Sequence, residues 1–185
     1  MRFLSTEIAG VVLIEPERFS DERGWFARTW ATEELAGHGL ETRVVQCSAS
    51  FSPRRGTLRG LHFQLPPFAE VKIVRCTRGA IFDVAVDLRP DSATFRRWVG
   101  VELTPTNGRA LYIPRGFGHG LLTLLDETEV SYQISAPYSP AHGRGVRFDD
   151  PAFGIAWPGE VARISPRDRD YPDLDAAAVE PLRGL

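Results

Sequence analysis

The chain predicts an all-β jelly-roll sandwich or barrel, and three observations carry that prediction. Short β-branched or aromatic runs recur along most of its length, turn signals separate them at regular spacing, and only one stretch reads as a clear helix. In order, the runs are Val11–Ile14, Val44–Ser50, Leu58–Gln64, Val71–Cys76, Ala80–Leu88, Trp98–Leu103, Ala110–Ile113, Gly120–Leu125 and Glu129–Ile134. Between them lie Ser52-Pro53, Pro66-Pro67, Arg78-Gly79, Arg89-Pro90-Asp91, Thr106-Asn107-Gly108 and Pro114-Arg115-Gly116, residue types that favour tight turns and interrupt sheet ladders. The helix is Ala31–Ala36, preceded by Trp30 and holding Glu33 and Glu34. From Ser165 onward charge and proline predict a loop with a short helical turn.

With 185 residues, 43% of them hydrophobic, one substantial core is expected, hence one domain over 1–185. A net charge of -2 and the lack of a basic stripe argue against nucleic acid as a partner. No apolar run approaches the roughly 18 residues a membrane span needs, and the first residues do not read as a signal peptide. The expectation is a cytoplasmic protein without membrane attachment. Cys47 and Cys76 lack C-x-x-C spacing and are expected to be reduced and buried.

Period-2 alternation assigns faces within the strands. Lys72 shares its face with Val74 and Cys76, and Arg75 with Val71 and Ile73. Tyr132 sits with Val130 and Ile134, which is also how an ordinary core tyrosine looks. His62 falls on the face of Leu58, Gly60 and Gln64, where the missing side chain at Gly60 leaves room for a ligand. Strict alternation turns Arg59 away from His62, so both can reach one site only through a bulge near Gly60 or a site shared with another strand or subunit. Asp83 and Asp87 are expected to be turn and sheet-edge hydrogen bonders, and His38 and His142 exposed loop residues. Trp25, Trp30, Trp98 and Trp157 are expected in the core or a dimer interface.

The run Gly108–His119, G-R-A-L-Y-I-P-R-G-F-G-H, fits the second cupin motif. The first cupin motif requires a second histidine where Gln64 stands, so His62, Glu70 and His119 make a weak metal set and no metal cofactor is expected.

Seven ordered blocks over nearly the whole chain resemble the dTDP-4-dehydrorhamnose 3,5-epimerase family: D-E-R-G from Asp21, L-R-G-L-H-F-Q from Leu58, K-I-V-R-C from Lys72, F-D-V-A-V-D-L-R from Phe82, Y-I-P-R-G-F-G-H-G from Tyr112, D-D-P-A-F-G-I-A-W-P from Asp149 and I-S-P-R-D from Ile164. The resemblance implies a homodimeric, cupin-like jelly roll that needs no metal and acts on 4-keto-6-deoxy sugars carried on a nucleoside diphosphate. It implies His62 as base, Asp168 as the carboxylate that holds its ring, Lys72 as donor to the enolate oxygen and Tyr132 as the acid on the opposite side. Arg23 and Arg59 become diphosphate-side residues, Gln46, His119 and Arg167 further substrate contacts, and Tyr138 the ring that stacks on the nucleobase.

Three substrate positions depart from the family pattern: Arg28 and Gly143 stand where glutamates are usual, and Ser48 where an asparagine is usual. The carrier is therefore open between dTDP, CDP and GDP, as is whether C3, C5 or both are inverted. The alternatives are a metal-dependent, dioxygenase-like cupin enzyme and a non-catalytic sugar-nucleotide binder.

Overall fold

A computed structural model describes the whole chain, Met1–Leu185. Its strands are β1 (Arg2–Ser5), β2 (Val12–Glu15), β3 (Arg18–Asp21), β4 (Gly24–Ala27), β5 (Gln46–Ser52), β6 (Thr57–Gln64), β7 (Lys72–Arg78), β8 (Ile81–Asp87), β9 (Trp98–Leu103), β10 (Ala110–Ile113), β11 (Phe117–Thr123), β12 (Thr128–Ile134), β13 (Gly143–Gly145) and β14 (Arg163–Ile164). Helix α1 (Thr32–Gly37) follows β4, and α2 (Pro166–Arg169) and α3 (Ala176–Val179) close the chain. One sheet runs β1-β2-β10-β7-β12-β5, and the other β13-β6-β11-β8-β9 with β14 beside β6. Strands β3 and β4 form a separate two-stranded arm. This is the jelly-roll sandwich the turn spacing predicts.

Alternation sorts the apolar residues into layers. Val74, Cys76 and Val130 of the first sheet meet Ile81, Ala85, Phe117 and Leu121 of the second in the inter-sheet core. The neighbouring residues on β8, Val84 and Val86, point the other way and are covered by Val146, Phe153, Val179 and Leu182 of the C-terminal segment. On the far side, Val71, Ile73 and Tyr112 pack under Leu35 of α1. Helix α1 keeps Glu33 and Glu34 in its first turn, where carboxylates complement the helix dipole, and it leads into Gly39 at φ +69°.

Sequence reasoning missed β1, β3, β4, β13 and β14, short strands that pairing rather than composition creates. Strand β11 begins at Phe117 rather than at Gly120. Cys76 is buried, but Cys47 is exposed on edge strand β5, because alternation turns it away from the face of Gln46 and Ser48. Trp25 is exposed on the arm, whereas Trp98 and Trp157 pack against the second core layer and Trp30 against the α1 layer. Asp83 and Asp87 are not at a sheet edge. Strand β8 is interior and both carboxylates are fully buried. Asp87 accepts hydrogen bonds from Arg89, Ser92 and Thr94, so its role in organising the following turn stands.

One irregularity positions the site. Across β6 and β11, His62 faces His119 but Arg59 faces Leu121, so three steps on β6 oppose two on β11. The bulge at Gly60-Leu61 shifts the parity of the strand and turns Arg59 and His62 to the same side. Gly60 makes it possible: its φ is +126°, and a Cβ there would lie 2.5 Å from Gly120 Cα and 2.8 Å from His119 O. Gly60→Ala is expected to destabilise the fold by about 3 kcal/mol or more, read as a lowered urea midpoint, since it combines a disfavoured backbone angle with a clash against main chain.

Candidate active site

Between the sheets, at the end where β6 and β12 face each other, lies a cavity of about 670 Å³. A second hollow of about 230 Å³ shares His62, Lys72, Ile134 and Arg167 with it. Of the residues singled out above, His62, Lys72, Tyr132, Asp168, Ser48, Arg59, His119 and Arg167 line the first cavity, and Gln46, Tyr138 and Gly143 line the second. Arg23 and Arg28 do not reach either one within a single chain. Arg23 sits at the turn of the β3–β4 arm, paired with Asp21, and Arg28 pairs with Glu34 of α1.

His62 and Asp168 are far apart in sequence and come together through the C-terminal tail. Ser165 is extended and caps α2 by accepting a hydrogen bond from the Asp168 amide, with Pro166 starting the helix. That turn points the Asp168 carboxylate at β6, where Oδ1 lies 2.7 Å from His62 Nε2 and Oδ2 accepts from the Gly60 amide at 3.1 Å. The His62 side chain stays 39% exposed while that of Asp168 is 7% exposed, so the pair is anchored inside and its imidazole is open to a ligand. With Nε2 engaged, Nδ1 is the ring nitrogen left for chemistry. Burial acts to raise the Asp168 pKa, but the hydrogen bond and charge of His62, with the Gly60 amide and Ser165, outweigh it and hold the carboxyl below the usual range.

Lys72 comes from β7 on the opposite sheet. Its Nζ lies 3.0 Å from Glu70 Oε1 and 3.4 Å from His62 O. It is the only lysine in the chain, every other basic side chain apart from histidine being arginine, a signal that was available in the sequence. Tyr132, on β12 beside β7, has its hydroxyl 3.1 Å from Ser50 Oγ. Burial pushes its pKa up to about 12, which keeps the phenol protonated and able to donate at neutral pH. His119 meets the Tyr132 ring edge-on at 6.2 Å and carries a carboxylate of its own, Asp83 Oδ1 at 2.8 Å from Nε2.

Three partners escaped sequence reasoning: Asp83 behind His119, Ser50 behind Tyr132 and Glu70 behind Lys72. Asp83 had a signal, an acidic residue on the same strand face as Ile81 and Ala85. Ser50 and Glu70 had none, because their roles depend on strand register. The weak metal set does not converge: His62, Glu70 and His119 are engaged by Asp168, Lys72 and Asp83, and no three His, Cys, Asp or Glu side chains are grouped to hold an ion. In the second hollow, Gln46 Oε1 accepts from the Tyr138 amide at 3.2 Å, and the Tyr138 ring is largely exposed. The Tyr138 hydroxyl beside Arg167 raises the arginine's pKa further, with Tyr171 contributing.

Comparison with known proteins places the chain in a family. A family model described as dTDP-4-dehydrorhamnose 3,5-epimerase matches residues 5–176. A dTDP-4-dehydrorhamnose 3,5-epimerase of Sinorhizobium fredii is 47% identical over 175 residues, covering 94% of this chain and 90% of the relative. The crystal structure of the Bacillus anthracis enzyme of that name, with TDP and PPi bound, superposes with a TM-score of 0.90 at 40% identity, covering 94% of this chain and 99% of that one. A 3'-monoepimerase from Streptomyces bikiniensis in complex with dTDP-quinovose superposes with a TM-score of 0.85 at 35% identity, covering 96% and 89%. Fold and relatives together define a cupin-like sugar-nucleotide epimerase. The chain belongs to the dTDP-4-dehydrorhamnose 3,5-epimerase family.

The depressed Asp168 carboxyl has a pH signature. Its contribution to stability is in place above about pH 4 and is lost as pH falls through the lower folded value. Asp168→Asn is expected to cost about 1–3 kcal/mol at pH 7, and the gap from wild type should narrow toward pH 3 in urea titrations.

Proposed function

We propose that the chain inverts C3, C5 or both of a 4-keto-6-deoxy sugar linked to a nucleoside diphosphate, by proton transfer without a metal. The observation that carries the reading is a histidine with one ring nitrogen held by a buried carboxylate, facing a lysine and a protonated tyrosine across one cavity. The C4 ketone acidifies the neighbouring C–H bonds. His62 Nδ1 takes the proton, the electron pair moves onto the C4 oxygen, and Lys72 donates a hydrogen bond to that oxygen. Tyr132 returns a proton on the opposite face, and the stereocentre inverts. Asp168 favours the imidazolium that forms. General acid–base groups contribute roughly 10²–10⁴ each in rate, and a fixed donor to the oxyanion about 3–4 kcal/mol.

Arg59, Gln46, Ser48, His119, Arg167 and Tyr138 act as substrate contacts in this reading. Two of the three departures from the family pattern, Ser48 and Gly143, line the cavities, so the carrier is a property to be measured among dTDP, CDP and GDP. The chain acts as one domain whose tail supplies Asp168, and works in the cytoplasm with free thiols. No helix is long and apolar enough to cross a membrane.

The test is NMR of keto sugars on the three carriers in deuterated water. Wild type should introduce deuterium at the inverted centre or centres on one carrier. His62→Ala should show no exchange, and exchange at the wild-type rate in that variant would remove the base. Tyr132→Phe should exchange without inverting, because solvent then returns the proton from the side it left.

The proposed assembly is a homodimer whose β3–β4 arms cross between protomers. The arm exposes Phe19, Trp25 and Phe26, the last of them 70% exposed, and carries Arg23 away from its own cavity. An exchanged arm would bury these aromatics and bring Arg23, with Arg28 just beyond the arm, to the partner's site. A mixture of the inactive His62→Ala and Arg23→Ala chains should therefore regain activity on exchange of subunits, because one site of each hybrid holds an intact histidine and an intact arm. Failure to complement in a proven hybrid would exclude the crossing.

A further inference from the structure

The catalytic cavity contains positive charge that its own acids do not neutralise. Lys72 is paired with Glu70, His62 with Asp168 and His119 with Asp83. The three guanidiniums lining the same cavity, Arg59, Arg163 and Arg167, have no carboxylate within 4.0 Å. Arg163 is the one of these that the reading above leaves unexplained.

Its place in the fold gives it a partner. Strand β14 runs parallel to β6 with Arg163 opposite Thr57. Partners in a parallel ladder point to the same face, and so does the residue two positions on, which places Arg163 and Arg59 on the same face of the sheet, ahead of the bulge. Arg59 is tied down, donating to Phe51 O at 3.1 Å and to Ser52 Oγ at 3.4 Å. Arg163 is exposed and makes no such bond, so its fork is free to close on a ligand. Like charges gathered in one cavity repel one another, and an anionic ligand relieves that repulsion.

We propose that Arg163 is a substrate-binding residue that joins Arg59 in clamping the diphosphate of the nucleotide sugar. The inference rests on the nucleotide-sugar reading above and adds a binding residue to it. Arg163 contributes to affinity and leaves proton transfer to His62, Lys72 and Tyr132.

Calorimetric titration with pyrophosphate, which is common to all three carriers, and with dTDP tests this. Arg163→Gln should weaken pyrophosphate binding by about tenfold or more and flatten its dependence on ionic strength. It should raise KM with kcat unchanged and leave the thermal midpoint in place. Arg163→Lys should recover part of the affinity, and Arg97→Gln, an exposed arginine outside the cavity, should behave as wild type. Undiminished pyrophosphate affinity in Arg163→Gln would overturn the clamp, even if wild type proves to be an active epimerase. Weakened affinity in that variant, with no deuterium exchange by wild type on any carrier, would sink the epimerase reading and leave the anion clamp standing.

Discussion

The site depends on a single carboxylate. Asp168 receives the Gly60 amide on one oxygen and faces His62 Nε2 with the other, so the C-terminal tail and strand β6 are held together where β6 bulges. Remove that carboxylate and the bulge loses the acceptor for its amide and the imidazole loses its orientation, while the tail keeps only its β14 pairing with β6 and its apolar packing on β8. A nearly buried anion is tolerable there because its oxygens are met by donors and its charge sits beside an imidazole. The same turn that aims Asp168 also sets Arg167 against Tyr138, linking the His62–Asp168 pair to the second hollow.

Pairing across strands organises the cavity more widely. His119 is backed by Asp83 from β8, Lys72 by Glu70 just ahead of β7, and Tyr132 by Ser50 from β5. Each of these three side chains is therefore held by a neighbour whose own backbone belongs to a sheet or adjoins one. In the proposed reaction such bonds limit the reorganisation that proton transfer needs, since donors and acceptors are already oriented. The unpaired arginines have the opposite character. In the proposed reading their counter-charge is supplied by the ligand's phosphates.

Much of the fold was legible in the chain because sheets with one buried face impose alternation. Strand β12 carries that pattern plainly, whereas β8, buried on both faces, reads as an apolar run interrupted by Asp83 and Asp87, and the turns between the long strands carry proline, glycine and asparagine. Strands β1, β3, β4, β13 and β14 were not legible. They are two to four residues long, exist through pairing, and have too few positions to show a period. Asp83 and Asp87 were misplaced for a related reason: charge suggests an edge, and only the strand order puts β8 in the interior.

What the sequence determined by itself was the jelly-roll class and the family, since turn chemistry, alternation and the ordered blocks around His62, Lys72 and His119 are local properties of the chain. Tertiary structure decided which of those residues meet. Parity placed Arg59 and His62 on opposite faces, and the Gly60 bulge reversed that through a close approach to Gly120 that no local pattern encodes. Contact between residues 106 positions apart, as in His62 and Asp168, is set by how sheets and tail pack. Side-chain spacing along a strand carries no record of it.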